Sequence, residues 1–309
     1  MIMLFKKLTW LIILGVTLLL VACSNGESTH ETNEKVNIVT TIAQIGEPLA
    51  VIGQDKVEVT SLMGPSIDPH LYNPTQSDIQ KVDEADIVLY NGLDLEANMT
   101  TIFEALSDEK VVLAVSDTID EADLLYEDDK IVDPHIWFDI DLWQQALDSA
   151  VGVLKDYSPE NAEFFEANKQ AYFEELDQLR IFSEKIHEIP KEQRILVTAH
   201  DAFGYFGEKY AMDVIGLQGL STEDEVGLSD INDTIDIIEK HHVPAIFVES
   251  SINENTIQAV LEGAQNKGLD VRLGGELFSD AMGAEGTEEG TYIGMYKHNI
   301  ETIYQALKP

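Results

Sequence analysis

Residues 158–190 read SPENAEFFEANKQAYFEELDQLRIFSEKIHEIP. Ser158 followed by Pro159 is a helix start, because serine can accept from free backbone N–H groups and proline lacks the N–H that a first turn leaves unpaired. Phe165, Tyr172, Leu176, Leu179, Ser183 and Ile186 then recur at intervals of seven, four, three, four and three, which is one face of a helix, and Pro190 stops it. At 1.5 Å per residue, 158–189 predicts a single helix of about 45 Å, long enough to cross a domain and serve as a strut.

What lies on either side of this strut follows one pattern. Residues 36–41 (VNIVTT) and 57–62 (VEVTSL) are β-branched runs around a helix-like segment at 42–52. Residues 87–90 and 111–115 repeat the pattern, each after a helical stretch, the first of which begins at Thr75; a further helix is expected at 142–154. Beyond Pro190, strands are expected at 194–198, 212–217, 245–248 and 271–273, with helices at 229–240, 256–264 and 291–307. Alternation of this kind predicts parallel βαβ units. The expected fold is therefore α/β: two lobes, at 36–157 and 190–309, each a mostly parallel sheet flanked by helices, joined by one long rigid helix at 158–189.

The first residues read as an address. Lys6 and Lys7 precede an apolar run at 11–22 that ends Leu20-Val21-Ala22-Cys23, too short for a comfortable span of about 20 apolar residues. Residues 1–22 are read as a signal peptide, and the segment resembles a bacterial lipobox, which implies lipid on Cys23. Residues 23–35, polar and without periodicity, read as a tether, with His30 a solvated part of it. Cys23 is the one cysteine in 309 residues, so an exported chain of this kind relies on core packing instead of disulfides. Acidic residues outnumber basic ones 57 to 19, a formal net charge of −38. That field repels phosphate backbones and excludes nucleic acid as a partner. It attracts cations, but a solvated acidic surface accounts for it equally well.

In parallel sheets, ligands sit beyond the carboxyl ends of strands. Four residues fall there. His70 follows the second strand in a short loop, within Asp68-Pro69-His70; His135 lies in a second copy of that tripeptide, Asp133-Pro134-His135; His200 follows the strand at 194–198; and Asp280 ends the loop that begins at Gly274. Two fall in each lobe, so closing one cleft would bring them together around one divalent metal ion. Their spacing alone proves nothing, and a histidine taken singly is more often structural. Imidazole suits zinc, copper, iron and nickel, and a carboxylate adds the hard oxygen that manganese favours. His187, His241, His242 and His298 fall on helices or at their ends and are left out of the site, and Asp133 is read as shaping the turn with Pro134.

Taken together, the two Asp-Pro-His tripeptides, His135-Ile136-Trp137, Val197-Thr198-Ala199-His200-Asp201-Ala202-Phe203-Gly204, Gly216-Leu217-Gln218-Gly219, Phe247-Val248-Glu249-Ser250-Ser251 and Gly274-Gly275-Glu276-Leu277-Phe278-Ser279-Asp280 resemble the solute-binding lipoproteins of manganese/zinc ABC transporters, the cluster A-I family. The resemblance covers nearly the whole mature chain. It implies two lobes with the metal at their interface and matches the ligand positions to His70, His135, His200 and Asp280. Some manganese-dedicated members carry glutamate where this chain has His200. Zinc-dedicated members commonly carry a histidine-rich loop, and residues 120–133 hold no histidine. The pattern is similar to the Tro-type and bacillus-type manganese lipoproteins. The implied cargo is Mn2+ or Zn2+, with manganese transported and zinc bound tightly in vitro. The implied partners are an ABC permease and its ATPase, with the chain a monomer outside the cytoplasm, anchored to the cell membrane by lipid.

Glu249 admits two roles. It can hydrogen-bond a ligand imidazole and fix its orientation, or act as general base on metal-bound water, which would make the chain a lipid-anchored zinc-dependent hydrolase. A surface adhesin is a third class, without a repeat or apolar stripe to support it.

Overall fold

The computed structural model describes residues 35–127, 130–223 and 225–309. The signal, Cys23 and His30 lie outside them. Lys35–Pro309 forms one compact unit.

The first half begins with β1 (Val36–Thr40), α1 (Ala43–Gly53), β2 (Val57–Ser61), α2 (Gln76–Glu84), β3 (Ile87–Tyr90), α3 (Thr100–Leu106) and β4 (Val111–Ala114). These four strands form a parallel sheet in the order β2-β1-β3-β4, with Val36 opposite Val57 and Ile38 opposite Ile87. The helix expected from Thr75 starts where its capping chemistry dictates: Asp78 N donates to Thr75 Oγ1 at 3.3 Å and Thr75 N to Asp78 Oδ2 at 2.9 Å. A short antiparallel hairpin, β5 (Tyr126–Glu127) and β6 (Ile131–Val132), precedes α4 (Ile140–Tyr157), which Asp139 caps by accepting from Asp141 N.

The strut is continuous and buries Phe165, Tyr172, Leu176, Leu179 and Ser183, the face read from its periodicity. Its α-helical part, α5, is Ala162–Ser183, with 3-10 turns at Pro159–Asn161 and Glu184–Glu188. The α-helical twenty-two residues span about 33 Å, and the 3-10 turns carry the continuous strut from Pro159 to Glu188, close to the expected length of about 45 Å. The start is delayed because Ser158 Oγ turns to Glu160 Oε1 and Asn161 Nδ2, at 2.7 and 2.9 Å, in place of the backbone.

The second half runs β7 (Ile195–His200), α6 (Gly204–Tyr210), β8 (Asp213–Gln218), α7 (Leu228–His241), β9 (Ala245–Glu249), α8 (Asn255–Asn266), β10 (Arg272–Leu277) and α9 (Tyr292–Leu307). β7 pairs with β8 and β9 with β10, both parallel, and β7 runs beside β9. Two expectations change here. His200 is the last residue of β7, opposite Gln218, and not a loop residue after it. β10 extends through the glycines read as the start of a loop, because they build a bulge: Gly275 has φ +138, and a Cβ on Gly274 would stand 2.4 Å from the Phe247 ring. The short helix α6 was not foreseen.

Apolar residues gather in two cores. The smaller, with Val197, Ala199, Ile235, Ile246 and Val260, lies between the second-half strands and α7 and α8. The larger surrounds the first sheet and the strut and also takes in Phe203, Phe206 and Tyr210 around α6 and Tyr292, Tyr296 and Ile300 of α9.

Candidate metal centre

His70 beyond β2, His135 beyond β6, His200 at the end of β7 and Asp280 beyond β10 come together, each with a donor atom within 4.8 Å of the others. All four are buried, His135 and His200 completely. Their local holds differ. Both Asp-Pro-His tripeptides fold alike at first: Asp68 Oδ1 accepts from His70 N, and Asp133 Oδ1 from His135 N, each at 2.9 Å. Asp133 Oδ1 also accepts from His135 Nδ1 at 2.7 Å. This corrects the sequence reading, which gave Asp133 only a turn-shaping part: it holds the imidazole and leaves Nε2 facing the cluster. A side chain two residues before a histidine is within reach of its backbone, and that was the available signal.

His200 has the same kind of hold from farther away. Its N donates to Glu249 Oε1 at 2.9 Å and its Nδ1 to Glu249 Oε2 at 2.6 Å. Glu249 is buried and engages His200 with both oxygens, the arrangement of a group that orients the imidazole. Pairing of this kind fixes the tautomer and raises ligand basicity. Behind His135, Asn91 Nδ2 donates to Pro134 O at 3.0 Å, and the Trp137 ring packs edge-on at 5.3 Å. Trp137 figures in the sequence only within the stretch that carries the family resemblance, and Asn91 and Gln44, which reaches the Asp280 backbone, carried no sequence signal.

The inward atoms are His70 Nε2 and His135 Nε2, 3.4 Å apart, with Asp280 Oδ1 3.3 Å from His135 Nε2 and Asp280 Oδ2 3.2 Å from His200 Nε2. Four donors at about 2.0–2.1 Å from one ion form a tetrahedron with edges of about 3.3 Å. His200 Nε2 and both Asp280 oxygens are buried without an aligned hydrogen bond, as donors left for an ion would be. The donor set fits one divalent transition metal.

The charges are poised accordingly. Burial disfavours the His135 cation, but Asp133 and Asp280 outweigh it and raise its pKa to about 9. Burial is likewise overcome at His200, where Glu249 and Asp280 raise the pKa well above the usual histidine range. His70, whose Nε2 lies 3.8 Å from Asp280 Oδ2, is pushed down to about 3 by burial, against the pull of Asp280. Burial opposes the Asp280 charge, yet the three imidazoles hold its pKa well below the usual carboxylate range.

The excluded histidines stand apart. His187 pairs with Glu184 at 2.8 Å, His241 and His242 end α7 exposed, and His298 Nε2 lies 3.0 Å from Glu276 O.

A family model described as zinc-uptake complex component A, periplasmic (ZnuA) matches residues 38–306. The chain belongs to the ZnuA family. This ZnuA-family chain is 43% identical over 298 residues to the manganese-binding lipoprotein MntA of Bacillus subtilis (strain 168), covering 96% of this chain and 97% of that one. It is 42% identical over 283 residues to the zinc-binding protein TroA of Treponema pallidum (strain Nichols), covering 91% and 92%. The solved periplasmic zinc-binding protein TroA from Treponema pallidum superposes with a TM-score of 0.87 at 43% identity, covering 89% of this chain and 100% of that one. ZnuA-family membership makes the chain an extracytoplasmic binding component of metal uptake and not an enzyme. Two relatives of nearly equal identity are named for different metals, so likeness alone does not select one.

Proposed function

We propose that this protein captures a divalent transition metal at His70, His135, His200 and Asp280 and delivers it to an ABC permease driven by its ATPase. Manganese is the cargo in this reading and zinc the tighter-binding competitor, since zinc outranks manganese at nitrogen-rich sites. The observation that carries the reading is the buried cluster of three imidazoles and one carboxylate with inward donors left without aligned partners. Kinship with both a manganese- and a zinc-binding relative supports it.

The organisation that goes with this function is a signal at 1–22, a lipid on Cys23, a tether to 35, lobes at 36–157 and 190–309, and the linking helix at 158–189, acting as a monomer at the outer face of the cell membrane. No bond is made or broken in the cargo. Asp133 and Glu249 orient His135 and His200, burial excludes water, and binding displaces protons from those two rings.

Elemental analysis of protein purified without added metal, followed by manganese and zinc competition titrations on wild type and His200→Ala, tests the reading. The expected result is one ion per chain, lost in the variant. Absence of affinity for either ion at micromolar concentration would overturn it.

A further inference from the structure

We propose that Gln44 is a positioning residue for Asp280 and, through it, a determinant of which ion the site retains. The inference rests on the capture reading above. Asp280 is the one carboxylate of the cluster, and among the described residues no side chain holds it in an aligned hydrogen bond. Its direction is set from behind, through its own peptide groups. Gln44 Nε2 donates to Asp280 O at 2.9 Å and lies 3.4 Å from Ser279 O, to which Trp137 Nε1 donates at 3.1 Å.

Gln44 stands in the first turn of α1, fully buried, in the first half of the chain. Asp280 follows β10 in the second half, 236 residues away. Asp280 therefore belongs to the second half by sequence, while its backbone carbonyl is held from the first. None of the imidazole holds passes through Gln44: His135 is steered by Asp133, His200 by Glu249, and the His70 backbone by Asp68. Loosening Gln44 acts on the oxygen donor alone.

The two candidate ions use that donor differently. Zinc is satisfied by four donors, here three imidazoles and one oxygen. Manganese favours oxygen and takes higher coordination, so it gains from both Asp280 oxygens. Both face the cluster, Oδ1 toward His135 and Oδ2 toward His200. A carboxylate free to turn gives up its second oxygen first, and manganese loses more.

Gln44→Met keeps length and bulk and removes the donor. Competition titrations of ion-free protein should show manganese Kd rising about tenfold and zinc Kd less than about threefold, the loss of one buried hydrogen bond concentrated on one ion. Gln44→Leu, which also removes the donor but with a shorter, branched side chain, should move the ratio the same way and serves if Gln44→Met fails to fold. Asn168→Ala, which removes a 2.8 Å bond to Ile52 O at the far end of the same helix, controls for general loosening and should leave the ratio unchanged. Equal weakening of both ions, or no change in either, overturns the role of Gln44. A wild-type protein that binds neither ion overturns the capture reading and this inference with it.

Discussion

Glu249 holds His200 by both of its oxygens, Oε1 on the backbone N–H at 2.9 Å and Oε2 on Nδ1 at 2.6 Å, across 49 residues of sequence. Replacing the carboxylate with an amide puts an N–H where an acceptor is needed. Glu249→Gln should therefore weaken metal affinity by about 10–100-fold, the usual cost of losing a partner behind a metal-bound histidine. A competition titration reads this directly, and unchanged affinity would mean that the ring needs no such hold.

Asp133 plays the equivalent part for His135, and Gly204 leaves room for it. A Cβ at Gly204 would stand 2.5 Å from Asp133 Oδ2, closer than such contacts occur, so the carboxylate must move. Asp133→Asn should match Glu249→Gln in its loss of affinity, and Gly204→Ala should lower affinity in the same direction by about tenfold. His187→Ala, by contrast, should leave metal binding unaltered, because His187 is exposed and pairs with Glu184. Equal losses for His187→Ala and His200→Ala would sink the ligand assignment.

Metal binding should release protons. With the pKa of His135 at about 9 and that of His200 raised well above its usual value, both rings are protonated at neutral pH before the ion enters, and a protonated imidazole cannot ligate. Binding at pH 7 should release about two protons per ion, and apparent affinity should keep rising as pH rises toward about 9. Unperturbed histidines would place that change near roughly 6.5. Calorimetry in buffers of differing ionisation enthalpy counts the protons, and a count of zero would contradict the paired rings.

The ion-free protein should respond to pH in the opposite sense. The folded pKa of His135, about 9, exceeds its unfolded value, so its contribution to stability is full below roughly 6.5 and is lost as pH rises through 9. His70 is depressed to about 3, so its contribution is present above roughly 6.5 and falls away as pH drops toward 3. Thermal melts of ion-free protein should thus decline from pH 7 to 9 while loaded protein gains over the same range. Parallel curves for the two forms would count against the coupling.

Much of this was legible from residue pattern. The buried face of the strut, the β-branched strands and the helix start at Thr75 are local, because the side chains that specify them lie within one or two turns of the backbone they shape. Where reading failed, a residue type served a different local purpose: Gly274 and Gly275 made a bulge inside β10, and Ser158 bonded side chains in place of a helix N-terminus.

The sequence by itself determined the donor types, three imidazoles and a carboxylate, and their positions at strand ends, since element order in an α/β chain follows from hydrophobic periodicity. Only the tertiary structure decided which atom each donor presents and in what charge state. Nε2 faces inward on His135 because of a carboxylate two residues away, on His200 because of one 49 residues away, and Asp280 is aimed by an amide 236 residues away. Tautomer, pKa and carboxylate direction depend on burial and on contacts between distant segments, which no local pattern encodes.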